Sequence, residues 1–153
     1  MAEIALSVDV AAPPELVFDA LTDWTGQGEW MAGTRVRVTR GDGRSVGSRI
    51  LARTALGRLG FDDPMEITAW NRPRRVQVHH LGNVVRGDGA FEVEALADGT
   101  SRFHWVEWLD LPLGRFGLLG FTVVRPLLSR AILPSLRAFG RWAEQRRAVT
   151  GRA

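Results

Sequence analysis

Hydrophobic and polar residues alternate over positions 3–10, with Ile4, Leu6, Val8 and Val10 on one side, which predicts a half-buried strand. Ala12-Pro13-Pro14 stops it, and Pro14 suits the first turn of a helix. Leu16, Val17, Ala20 and Leu21 then recur at helical spacing up to Asp23-Trp24, and Trp30 and Met31 close a second short helical turn. From residue 34 the period drops to two. Strands are predicted from 34 to the Gly41-Asp42-Gly43 turn, then over 46–56, 65–70, 75–81, 89–96 and 101–111. Residues 57–64, rich in Gly, Asp and Pro, read as a loop. Met65, Ile67 and Ala69 share one side of their strand, as do Val76, Val78 and His80, Phe91 and Val93, and Phe103, Trp105 and Glu107. A slip of parity near Ala95 is read as a bulge.

After residue 111 the period becomes 3.6. Leu128, Ile132, Leu136, Phe139 and Ala143 fall on one stripe, and Arg130, Arg137, Arg141 and Glu144 on the opposite face, of a helix that Pro126 and Pro134 start or kink. The order is strand, two short helices, six strands and one long helix. It predicts an α+β domain over residues 1–147, with a disordered tail over 148–153. A curved seven-stranded antiparallel sheet wraps the C-terminal helix in this reading. The space between them is a concave, mostly apolar site for a small hydrophobic ligand.

Composition narrows the chemistry. No cysteine is present, so disulfides and thiolate metal sites are excluded. All 20 basic residues are arginine, and the net charge of +3 is too mild to imply nucleic acid as a partner. Charge is unevenly spread. Residues 1–112 hold twelve arginines and sixteen acids, whereas from 113 onward eight arginines face Glu144 alone. That basic helix face is either simply solvated or a contact for an anionic membrane surface or an acidic partner. Met1-Ala2-Glu3 has no basic leader character, and the longest uncharged apolar run, 116–124, is far below the roughly 20 residues that span a bilayer, so a cytoplasmic protein is expected.

His80 and Glu107 point to the same side of the sheet on strands separated by one other. A histidine–carboxylate pair there is the candidate acid–base chemistry, or else a polar pair that orients a ligand or water. His79 replaces His80 if the parity is off by one. His79, His80 and His104 do not fit metal-ligand spacing, so no metal is expected, and no phosphate-loop pattern implies a nucleotide or other cofactor.

Several segments resemble the START-like (SRPBCC) superfamily of helix-grip domains, and within it the bacterial polyketide cyclase/dehydrase-like and lipid-transport group. They are Val8-Asp9-Val10-Ala11-Ala12-Pro13-Pro14-Glu15-Leu16-Val17-Phe18, Leu21-Thr22-Asp23-Trp24 with Trp30, Ile67-Thr68-Ala69-Trp70, Arg86-Gly87-Asp88-Gly89-Ala90-Phe91, Phe103-His104-Trp105-Val106-Glu107 and Arg125-Pro126-Leu127. The resemblance spans nearly the whole chain and implies an interior cavity for an apolar or aromatic ligand. With the inward strand positions and the helix stripe, the expected ligand contacts are Trp30, Ile67, Ala69, Val78, His80, Phe91, Val93, Phe103, Trp105, Glu107, Leu128, Ile132 and Leu136. The resemblance implies either a carrier or sensor of a lipid-like or polyketide-like molecule, or a cyclase, aromatase or dehydratase using His80 and Glu107. Aromatic-polyketide cyclases usually line the pocket with tyrosines. This chain has none, which favours the carrier or sensor.

Overall fold

A computed structural model describes residues 2–112 and 114–150. Seven antiparallel strands form one sheet: β1 (Ala2–Val10), β2 (Thr34–Arg40), β3 (Arg49–Leu56), β4 (Leu59–Asn71), β5 (Arg75–His80), β6 (Gly87–Ala95) and β7 (Ser101–Leu109). Their spatial order is β1-β7-β6-β5-β4-β3-β2, so every neighbour is consecutive in sequence except β1, which returns to pair with β7. Between β1 and β2 lie α1 (Pro14–Leu21) and a 3-10 helix, Trp24–Glu29. The last described element is α2 (Gly114–Thr150).

Local chemistry explains the breaks. Pro14 sits in the first turn of α1, where a missing N–H costs nothing. Asp23 opens the 3-10 helix, its carboxylate accepting from the Gly26 N–H. The Trp24 indole N–H donates to the Gly43 carbonyl at 2.7 Å and fastens this helix to the β2–β3 connection. That connection is a wider loop than the Gly41-Asp42-Gly43 signal predicts. Asp42 gathers the Arg44 N–H and the Ser45 and Ser48 hydroxyls, so β3 begins at Arg49 rather than near 46.

Two stretches differ from the alternation reading. The segment 57–64 is not a loop: Leu56 pairs with Leu59 around a tight turn, and β4 then runs through Asp62, Asp63 and Pro64. Ala95 is in regular register with Ser101, and the register shifts lie instead in β2 between Val38 and Arg40 and in β4 between Ile67 and Ala69. One extra residue there turns Ala69 to the outer side opposite Gln77 and brings Trp70 to the inner row opposite Val76.

The concave side holds the core. Val10, Phe18, Leu21, Ile67, Val76, Phe103, Leu136, Phe139 and Ala143 are fully buried there. α2 packs on β1 and α1, with Leu136, Phe139 and Ala143 forming the buried stripe and Ile132 half-buried. The helix bends by 51° between its segments Phe116–Val123 and Arg125–Thr150. Pro126 accounts for the bend, because it cannot donate to the carbonyl four residues back and its ring crowds that turn. Residues 148–150, expected in a disordered tail, continue the helix. Residues 151–153 of that expected tail lie outside the described residues.

Candidate functional site

The inner rows of β4, β5 and β7 bring three ionisable side chains together. His80 ends β5 and faces inward, whereas His79 faces outward and meets Asp88 at 2.9 Å. The His80 ring is clamped at both nitrogens. Its Nδ1 lies 2.9 and 3.0 Å from the two carboxylate oxygens of Asp63, and its Nε2 lies 3.1 Å from Glu107 Oε2. The Trp105 indole N–H donates to the other Glu107 oxygen at 2.6 Å. The His80 side chain is 4% exposed, against 11% for Asp63 and 16% for Glu107.

Contact between β5 and β7 across β6 depends on glycine. Gly89 is the residue of β6 opposite Glu107, and a Cβ on it would sit 2.8 Å from Glu107 Oε2. Its missing side chain leaves the gap through which imidazole and carboxylate reach one another. Gly87, opposite His80, has a φ of 118°, and a Cβ there would collide with the Trp108 carbonyl oxygen.

Burial alone would lower the His80 pKa. Hydrogen bonds to Asp63 and Glu107, and the charges of both, overcome that penalty and raise it from 6.5 to about 9. At neutral pH the ring is therefore an imidazolium donating from both nitrogens, held between two carboxylates. It has no lone pair with which to take a proton.

The expected ligand residues divide by burial. Trp30, Ile67, Val93, Phe103 and Leu136 are packed core. Trp30 lies 5.1 Å from Phe139 and 6.5 Å from both Phe91 and Trp105, centroid to centroid, and these rings fill the space beneath the buried half of α2. Val78, Phe91, Trp105 and Ile132, with Met65 beside them, are half-buried and remain reachable on the concave face, next to His80 and Glu107. Ala69 leaves this face because of the bulge, and Leu128 is exposed. The Trp30 indole nitrogen is buried and finds no acceptor among the described residues.

Two open depressions lie elsewhere. One of about 820 Å³ lies beside the start of α1, lined by Pro14, Asn71, Arg74, Glu92 and His104. The other, of about 680 Å³, lies between the start of β1 and α2, lined by Ala2, Leu118, Phe121 and Arg125. Among the described residues, no cluster of His, Cys, Asp and Glu is arranged to hold a metal ion. Asp63 is the residue that sequence reasoning missed, because Asp62-Asp63-Pro64 reads as a turn. Counting by twos back from Met65 reaches it.

A curved antiparallel sheet closed by a long C-terminal helix, with polar groups on its concave side, defines a helix-grip domain. The family described as Polyketide cyclase / dehydrase and lipid transport matches residues 1–144, and the chain belongs to it. Solved structures share the fold. TTHA0849 from Thermus thermophilus aligns over 93% of this chain and 97% of its own, with a TM-score of 0.75 and 16% identity. The Zhui aromatase/cyclase from Streptomyces sp. R1128 aligns over 95% and 94%, with a TM-score of 0.73 and 16% identity. CV1439 from Chromobacterium violaceum aligns over 94% and 99%, with a TM-score of 0.69 and 15% identity. No curated protein matches the chain at the sequence level.

Proposed function

We propose that the protein binds a small, largely apolar molecule on its concave face, and acts as a carrier or sensor. The observation that carries this reading is the strip of half-buried apolar side chains, Met65, Val78, Phe91, Trp105 and Ile132, beside a fixed polar cluster. Native mass spectrometry of the purified protein, followed by solvent extraction, tests the reading. A co-purifying apolar molecule is expected in the wild type, and its loss is expected in folded Val78→Trp, which fills the strip. Retention of the molecule in that variant would place it elsewhere.

A second reading, a cyclase or dehydratase, is favoured by the 3.1 Å contact between His80 and Glu107 and by the family's description. It ranks lower because an imidazolium with both nitrogens engaged and a pKa of about 9 keeps its proton rather than exchanging it near neutrality. Turnover of the co-purified molecule, lost in His80→Ala and in Glu107→Gln while binding is retained, would reverse the ranking.

A further inference from the structure

α2 carries an apolar ridge that the rest of the protein leaves bare. Phe116, Leu119, Val123 and Leu127 follow one another at spacings of three and four and so share one helix face. They are 81, 69, 69 and 62% exposed. The remaining exposed large hydrophobics outside α2, among them Val46, Leu59 and Leu81, are scattered through loops and strand ends. A contiguous apolar ridge is unusual on a protein that meets only water. Leu127 already lies past the bend, and from it the same helical row continues as Arg130, Arg137 and Arg141, again at spacings of three, four and seven, and all three are exposed.

We propose that this ridge docks the domain on an anionic lipid bilayer, with Phe116, Leu119, Val123 and Leu127 entering the headgroup–acyl boundary and the arginine row meeting lipid phosphates. Charge selects the occupant. From 111 to 143 the chain has no acidic residue. None of the ion pairs among the described residues involves Arg130, Arg137 or Arg141. The acids that a second copy would present are instead largely engaged by their own chain: Asp9 with Arg102, Asp19 with Arg72, Asp62 with Arg53, Glu66 with Arg49 and Glu92 with Arg75. Lipid phosphates bring negative charge that is not already paired. The geometry fits a surface helix. Among the described residues no single helix is long and apolar enough to cross a membrane; only the two segments on either side of the 51° bend would suffice together, and the second of them is committed to packing on β1.

Flotation with vesicles tests this, using phosphatidylcholine with phosphatidylserine and phosphatidylcholine alone. Binding is expected to the mixed vesicles at low salt, with little to phosphatidylcholine and a steep fall as salt rises. Replacing Arg130, Arg137 and Arg141 together by alanine should lower the partition coefficient on the order of a hundredfold. Leu119→Glu with Val123→Glu should abolish binding with an unchanged unfolding midpoint, since both side chains are exposed. Undiminished binding of that double variant would overturn the proposal, because the apolar half would take no part. No binding at low salt would also overturn it. A lipid-free dimer that the same variant dissociates would assign the ridge to a second copy instead.

Discussion

Gly89 decides whether His80 and Glu107 meet. A methyl group there would press on a carboxylate oxygen 2.8 Å away, so Gly89→Ala should push Glu107 off the ring and remove one of its two acceptors. The expected result is a fall in the His80 pKa below about 9, read by NMR titration of the imidazole. An unmoved pKa would show that Asp63 alone sets it. The same group gives a pH dependence of stability. Its pKa is raised on folding, so its contribution is fully present below 6.5 and is lost as pH rises through about 9. Thermal unfolding should show a midpoint that declines between those limits, with the decline absent in His80→Gln. A wild-type midpoint flat across that window would mean the ring is not charged in the folded protein.

Among strands and helices, alternation located most of the sheet and two of the three ionisable members of the cluster. Val76-Val78-His80 and Phe103-Trp105-Glu107 are regular inner rows, and counting by twos finds them. Asp63 escaped because proline argues against a strand. Here the Pro64 carbonyl accepts from Leu81, just past the end of β5, so the missing N–H falls where the ladder has already stopped. Ala69 was misplaced because an inserted residue is invisible to alternation until pairing partners are known. Leu128 obeys the helical stripe yet is exposed, since the stripe describes a face and not what covers it. The two ends of α2 should therefore respond differently to truncation. Phe139→Ala removes a fully buried ring in contact with Trp30 and Phe103 and should cost roughly 3–5 kcal/mol. Leu127→Ala should stay within about 0.5 kcal/mol. Chemical denaturation of both variants checks the contrast, and equal losses would mean the outer ridge is covered after all.

For the whole molecule, the aromatic rings beneath α2 matter more than any single pocket. Trp30, Phe91, Phe103 and Phe139 touch one another and complete a core without help from a ligand. The protein stripped of a bound molecule should thus stay folded. A ligand at about a hundredfold excess over its Kd should raise the midpoint by roughly 5–10 °C, as mass action requires. Collapse on stripping, followed by differential scanning fluorimetry, would instead show that the ligand is part of the core.

The place of β1 has a consequence for how the fold is reached. Its neighbour in the sheet, β7, lies about ninety residues downstream, and the helix that packs on it comes later still. On a ribosome the strands β2 to β6 can zip hairpin by hairpin as they emerge, while β1 waits with every backbone donor and acceptor open. For that interval the nascent chain presents an unsatisfied edge of nine residues, and only the arrival of β7 closes it, with α2 following to pack on the strand.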